Sequence, residues 1–94
     1  MHKNQYRQSR IELSNELHLR QLTVDEALIK LDKYLDNAFM AGLHKVRVIH
    51  GKGTGTLRQV VSDRLSKHPL VKSFRPGAYG EGGDGVTVVE LASV

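Results

Sequence analysis

The segment VRVIHGKGTGTLRQVV, residues 46–61, passes from a strand pattern through a glycine-rich turn into a helical pattern. The β-branched residues before His50 favour a strand, and apolar residues at helical spacing after Gly55 favour a helix. Gly51, Gly53 and Gly55 alternate with polar residues in the turn. A turn of this kind exposes backbone N–H groups at the N-terminus of a helix, and such groups attract anions.

The rest of the chain supplies the other elements of a small α/β domain. ELHL, residues 16–19, alternates polar and apolar residues as a strand does. A helix is predicted after Thr23, which can form a capping box with Glu26, and it should stop near Gly42. A second helix is predicted over residues 56–67. VKSF and VTVVEL predict two further strands, and we expect the more apolar VTVVEL to be central.

The order of these elements predicts the fold. We expect an α/β (α+β) two-layer sandwich in which a βαβαββ chain forms a mixed four-stranded sheet with two main helices on one face, because β-helix-β crossovers are right-handed. Strand alternation then places Glu16, His18 and Arg20 on the open face of the sheet, together with Lys45 and Arg47. This polar face is either a binding surface or the solvated face that any two-layer sheet has.

The length and the charge of the chain narrow its class. It has 94 residues and no cysteine, which fits one small domain and excludes disulfides and cysteine-ligated zinc. The net charge of +4 is uneven, since residues 1–10 contain three basic residues and no acid. We therefore predict a flexible basic leader or linker over residues 1–14 and a folded domain over residues 15–94. No apolar run could span a membrane, so we expect a cytoplasmic protein without a membrane partner.

Two common nucleotide-binding motifs do not fit the glycine turn. In a phosphate-binding P-loop the lysine follows the last glycine, whereas Lys52 directly follows the first glycine here. The dinucleotide fingerprint needs a glycine where Thr56 stands, and the chain is too short for a full dinucleotide domain. Both mismatches argue against a small-molecule phosphate enzyme. The turn then either binds another anion or simply needs the backbone freedom of glycine.

Side chains from two strands are predicted to meet at this turn. The C-terminal ends of parallel strands lie at one edge of a sheet, so Arg20 and His50, which end the first two strands, should converge there. Lys52 adds a cation, and the Thr54 and Thr56 hydroxyls can donate hydrogen bonds. Together these groups predict an anion site at the edge of the sheet.

The order of these motifs resembles the Smr domain, the small MutS-related domain. The matching pieces are ELHLRQLTVDEAL, AGLHKVRVIHGKGTGTLR, HPLVKSFRPG and GEGGDGVTVVEL, which cover about residues 15–92. IHGKGTGTLR is similar to the family's His-Gly-x-Gly-x-Gly signature. The subgroup that the chain resembles most is the C-terminal domain of a bacterial MutS paralogue outside mismatch repair.

The resemblance implies a nucleic-acid-binding domain, with DNA as the favoured partner and RNA or the ribosome as alternatives. It also implies a parent chain with an ATPase and dimerising regions, and a role in suppressing recombination or rescuing ribosomes. Phosphate contacts should dominate, so binding should be poor in sequence specificity and sensitive to salt. The residues expected to bind nucleic acid are Gly51, Lys52, Gly53, Thr54, Gly55, Thr56, Arg58, Arg20 and Arg47.

Members of the family are described as endonucleases, so the resemblance also implies DNA nicking or RNA cleavage. The candidate catalytic residues are His50, Arg20, His18 and Glu16. The family's Leu-Asp-Leu-Arg-Gly motif has an aspartate and a glycine where this chain has His18 and Gln21. If that aspartate binds a metal or activates water, this chain lacks the group. The resemblance then implies nucleic-acid binding more strongly than strand cleavage.

Two chemical routes and one non-catalytic function stay open. A metal route would use Mg²⁺ or Mn²⁺ near Glu16, Glu81 or Asp84, although these acids have no diagnostic spacing and no ligand set is predicted. A metal-free route would use His50 and His18 as base and acid on an RNA hydroxyl, with a nearby cation stabilising the charged phosphate. Without either route, the domain would be an adaptor that binds structured RNA or the ribosome.

Overall fold

A computed structural model describes residues 13–93, which form a four-stranded sheet covered by two helices. The strands are β1 (Glu16–His18), β2 (Lys45–Ile49), β3 (Val71–Pro76) and β4 (Val86–Leu91), and the helices are α1 (Val24–Met40) and α2 (Thr56–Ser66). A 3-10 turn over Gly83–Gly85 precedes β4. Residues 1–12, most of the predicted leader, lie outside the described residues, and within residues 13–93 no helix is long and apolar enough to cross a membrane.

The sheet has the strand order β1-β2-β4-β3. β1 pairs with β2 in parallel, and β4 runs antiparallel to both β2 and β3. β4 therefore lies inside the sheet, as its apolar sequence predicts, while β1, β2 and β3 all run in the same direction. The predicted mixed four-stranded sheet with two main helices is confirmed.

The two helices and one face of the sheet share a single hydrophobic core. An ion pair between Asp32 of α1 and Arg64 of α2, 2.5 Å apart, joins the helices, so both lie on the same face. Burying a leucine or valine side chain contributes about 1.5–3 kcal/mol. The side chains that are completely or almost completely buried in this core include Leu17, Leu19, Leu31, Leu35, Val46, Val48, Val61, Leu65 and Val89.

Local signals in the sequence mark both ends of α1. The Thr23 hydroxyl accepts the Glu26 N–H at 3.2 Å, and the Glu26 carboxylate accepts the Thr23 N–H at 3.0 Å. This reciprocal pair is the capping box that the sequence predicts. At the other end, α1 stops at Met40, and Gly42 turns the chain toward β2 with a φ of 81°.

Gln21, between β1 and α1, has a backbone conformation that suits glycine. Its φ is 70°, and it is the only non-glycine residue with positive φ among residues 13–93. The Leu22 N–H donates to the Leu19 carbonyl at 3.3 Å, which closes a tight turn around Gln21. Left-handed backbone costs a non-glycine residue roughly 1–2 kcal/mol. The turn therefore stores strain at the position where the family motif has glycine.

We predict that Gln21→Gly raises the free energy of unfolding by about 0.5–1 kcal/mol, because the relieved strain exceeds the added entropy of the unfolded chain. Gln21→Asn should give a smaller gain, since asparagine tolerates left-handed backbone better than glutamine. Urea denaturation of the three proteins would measure these differences. A loss of stability in Gln21→Gly would show that the backbone at Gln21 is not strained.

Candidate functional site

The turn Gly51–Gly55 joins β2 to α2 and depends on glycine for its shape. Gly51, Gly53 and Gly55 have φ angles of 83°, 30° and 89°, which side-chain-bearing residues rarely adopt. Gly55 is also the N-cap of α2, and it has no side chain to cap the first N–H groups of the helix. These groups therefore depend on neighbouring residues, solvent or a ligand.

Arg20 lies directly beside the turn. A Cβ atom at Gly51 would be only 3.2 Å from Cγ of Arg20, so the arginine side chain extends closely across the glycine. The Arg20 side chain comes from the segment after β1, and Gly51 follows β2, which pairs with β1 in parallel. The structure thus brings Arg20 and the turn together at one edge of the sheet, as expected from the ends of parallel strands.

A cleft of about 550 Å³ opens at this edge. Its volume lies within the range of small-molecule and cofactor sites. Among the predicted site residues it contains Arg20, His50, Gly51, Lys52 and Gly53. The remaining lining residues are Gln21, Ile49, Gly82, Gly85 and Val86.

His50 is almost fully buried, with only 4% of its surface exposed. Its Nδ1 lies 3.0 Å from the Gly51 carbonyl oxygen, and its Nε2 lies 2.9 Å from the Thr87 hydroxyl. A carbonyl oxygen can only accept, so Nδ1 carries the proton, and in the neutral ring Nε2 accepts from Thr87. Both ring nitrogens are therefore occupied. The geometry gives His50 a positioning role, and its predicted catalytic role stays a prediction.

The start of β4 fixes the first half of the turn. The N–H groups of His50 and Gly51 both donate to the Gly85 carbonyl oxygen, at 3.1 and 3.0 Å. The Gly51 N–H is thus not available to an anion. The N–H groups of Lys52, Gly53 and Thr54 have no acceptor among residues 13–93. An anion at this turn would therefore meet the middle of the turn rather than its beginning.

Three exposed cations surround these N–H groups. They are Arg20, Lys52 and Arg58, whose Nη2 would lie 3.3 Å from a Cβ atom at Gly55. None of the three forms an ion pair with another part of the described chain. Next to them, the Thr54 hydroxyl accepts the Thr56 N–H at 3.3 Å and lies 2.9 Å from the Thr56 hydroxyl. The turn is consequently a local concentration of unpaired positive charge.

Three other predicted site residues lie on the open face of the sheet, and one of them, His18, is the register partner of Ile49 in the cleft. Glu16 pairs with Arg47 across β1 and β2 in an ion pair, and the His18 Nε2 lies 3.6 Å from the second Glu16 oxygen. The charge of Arg47 is thus offset by a carboxylate. Glu16, His18 and Arg47 do not line the cleft.

The carboxylates of the described residues form no preassembled cluster for a metal ion. Within residues 13–93 no three acidic, histidine or cysteine side chains are grouped to hold an ion. Glu16 is bound to Arg47. Hydrogen bonds from Arg75, and next from the Ala78 N–H, lower the pKa of Glu81 to about 2. A bound Mg²⁺ needs only one or two carboxylates beside a substrate phosphate, so Mg²⁺ or Mn²⁺ near Glu16, Glu81 or Asp84 stays a prediction.

Three site residues were not recognised from the sequence. Thr87 and Gly85 hold His50 and the turn from a distant strand, and Gln21 forms part of the cleft wall. Thr87 did carry a signal, because it is the one polar residue at an inward position of an otherwise apolar strand. A buried hydroxyl of this kind usually has a specific hydrogen-bond partner.

Residues 17–92 match the Smr domain model, and the chain therefore belongs to the Smr domain family. Two similar curated proteins are both named Endonuclease MutS2. The one from Clostridium beijerinckii is 57% identical over 88 residues, which are 90% of this chain and 11% of that protein. The one from Pelotomaculum thermopropionicum is 62% identical over 81 residues, 86% of this chain and 10% of that protein. The chain thus spans about a tenth of the length of these relatives.

Solved structures confirm the fold. The Smr domain of Thermus thermophilus MutS2 matches with a TM-score of 0.80 and 49% identity, covering 82% of this chain and 96% of that chain. YdaL, a stand-alone small MutS-related protein from Escherichia coli, matches with a TM-score of 0.78 and 26% identity, covering 85% of this chain and 65% of that chain. The resemblance found in the sequence is therefore confirmed.

We predict that Thr87→Val lowers the free energy of unfolding by about 1–3 kcal/mol. Valine keeps the shape of threonine but leaves the buried Nε2 of His50 without its hydrogen-bond partner. Chemical denaturation would measure the loss. A Thr87→Val protein as stable as the wild type would show that His50 is not held by this bond.

Proposed function

We propose that this domain binds nucleic acid at the Gly51–Gly55 turn, as one module of a larger MutS-like protein. The observation that supports this proposal most is the combination of free N–H groups in the middle of the turn with three unpaired cations around it. Backbone N–H groups and arginine or lysine side chains are the groups that contact nucleic-acid phosphates. The domain would therefore hold the phosphate backbone.

Membership of the Smr domain family favours a nucleic-acid strand over a single phosphate compound as the ligand of these cations. Arg20 follows β1, Lys52 lies in the turn, and Arg58 lies on α2, so the three come from different parts of the chain. Such an arrangement can contact successive phosphates along a strand. The name of the relatives, Endonuclease MutS2, supports nucleic acid as the partner, and DNA is the partner we favour. RNA or the ribosome is the alternative, and a cytoplasmic location stays a prediction.

Lys52→Ala should weaken binding to DNA and RNA by a similar factor and reduce the slope of log affinity against log salt by about one unit, because one phosphate contact is lost. Fluorescence anisotropy over a salt series would measure both effects. Lys67→Ala is the matched control, since it removes the same charge at the far end of α2. That helix is roughly 16 Å long.

We expect the Lys67→Ala protein to bind almost as the wild type does. If both substitutions weaken binding equally, the attraction arises from net charge alone. In that case the turn is not the binding site.

Strand cleavage is a second candidate function, and the accessible imidazole of His18 favours it. The His18 side chain is 63% exposed, and Glu16 lies 3.6 Å from its Nε2. A histidine beside a carboxylate can accept a proton from an attacking water or ribose hydroxyl, while the carboxylate stabilises the imidazolium. His50 lacks this access, because it is buried and bonded at both nitrogens. We therefore propose His18, rather than His50, as the base of any metal-free cleavage.

A nicking assay on supercoiled plasmid and structured RNA separates the enzyme from the adaptor. If His18 is the base, the wild type cuts in EDTA, and His18→Ala loses cutting but still binds. His18→Asp restores the family's aspartate, and it should cut only with added Mg²⁺ or Mn²⁺. Binding without cutting by all three proteins, with or without metal, would support the adaptor function instead.

A further inference from the structure

Gln21 combines a strained backbone with a place in the wall of the cleft. Its positive φ is unfavourable for glutamine, yet its side chain lies beside Arg20 at the entrance to the cation-lined turn. The residue is exposed, and its amide makes no hydrogen bond with any other residue of the described range 13–93. The fold therefore gains no hydrogen bond from this side chain that would offset the strain. Strain of this kind is commonly found at functional sites.

The cleft behind Gln21 has an apolar floor. Ile49 and Val86 are partners in the β2–β4 register, and both line the cleft. Val86 is buried, whereas Ile49 is partly exposed and can contact a ligand. The accessible apolar surface of Ile49 suits the face of a planar ring.

Two glycines shape the far side of the cleft. A Cβ atom at Gly82 would lie 2.3 Å from the Val86 side chain, and a Cβ atom at Gly85 would lie 3.5 Å from Cγ of Lys52. Side chains at these positions would press into the floor or toward the lysine. Their absence leaves space between the floor and the turn, which contributes to the volume of about 550 Å³.

These groups match the parts of one nucleotide. Lys52 and the free N–H groups of the turn suit a phosphate, the Ile49–Val86 floor suits the face of a base, and an amide suits the edge of a base. We propose that the cleft takes one unpaired nucleotide of the bound strand, and that the Gln21 amide hydrogen-bonds to the edge of its base. This inference rests on the proposed nucleic-acid binding and adds a substrate class to it.

The class is nucleic acid that contains unpaired nucleotides, such as single strands, gaps and loops. In a duplex the base is stacked and paired, and moving it into a cleft costs a few kcal/mol of unstacking. An unpaired base does not have this cost. Because DNA and RNA bases share the same edges, both kinds of strand can supply the nucleotide.

The test compares binding of single-stranded DNA, single-stranded RNA of the same sequence, and blunt duplex DNA of the same length by fluorescence anisotropy at one salt concentration. The wild type should prefer both single strands to the duplex, and Gln21→Gly should reduce that preference by about threefold to tenfold, as expected for one hydrogen bond. Gln21→Ala should lose the same preference, since it removes the amide without adding glycine's freedom. Lys67→Ala should keep it. Thermal melts of each variant exclude unfolding as the cause.

Three results would overturn the inference. An equal affinity of the wild type for single strands and duplex would show that no unpaired nucleotide is taken. A preference for single strands that persists in Gln21→Gly and Gln21→Ala would show that the amide makes no contact with the base. A preference of the wild type for single-stranded RNA alone would assign the contact to the ribose hydroxyl. If Lys52→Ala still weakens duplex binding in these cases, only this inference fails. If no nucleic acid binds in a Lys52-dependent way, the proposed function fails with it.

Discussion

The hydrogen bonds between the end of β2 and the start of β4 determine where the functional edge lies. The Gly85 carbonyl accepts two N–H groups from this end of β2, and the buried His50 ring bridges the Gly51 carbonyl and the Thr87 hydroxyl. Beyond this fixed part of the turn, the N–H groups of Lys52, Gly53 and Thr54 have no acceptor among residues 13–93. The free donors of the site are thus a consequence of how its buried half is bonded.

Charge pairing explains why the edge, and not the open face, is the better binding surface. On the open face, Glu16 is paired with Arg47, and Arg75 is paired with Glu81. At the edge, the cations beside the turn have no acidic partner within residues 13–93. A phosphate approaching the open face must compete with a carboxylate for each arginine, whereas at the turn it meets unpaired charge and free N–H groups together. The arginines of the two surfaces therefore differ in their access to phosphate.

Local signals in the sequence predicted most of the fold. Thr23 and Glu26 marked the start of α1 because a capping box involves only neighbouring residues. The apolar run VTVVEL identified the central strand, since only an inner strand is buried along its length. Arg20 could be placed beside the turn because parallel strands end at the same edge.

The parts of the site that the sequence did not predict depend on contacts between distant residues. His50 is bonded to Thr87, 37 positions away, and its burial depends on the register of β2 and β4. The pairing of Glu16 with Arg47 depends on the register of β1 and β2 in the same way. The strain at Gln21 lies in its positive φ angle. Glutamine rarely adopts positive φ, so the residue type alone predicted an unstrained backbone there. Strand register and φ angles are determined by the packing of the whole fold. They are therefore difficult to predict from a single sequence.

Amide chemical-shift mapping is the most direct test of the central claim that the turn edge binds nucleic acid. The domain would be labelled with ¹⁵N and titrated with a short oligonucleotide while its backbone amide signals are followed. If the turn edge binds the oligonucleotide, the largest shifts are expected at Lys52, Gly53 and Thr54, with smaller ones near Arg20. Largest shifts at Arg47 and Arg75, with the turn unchanged, would contradict it and assign binding to the open face.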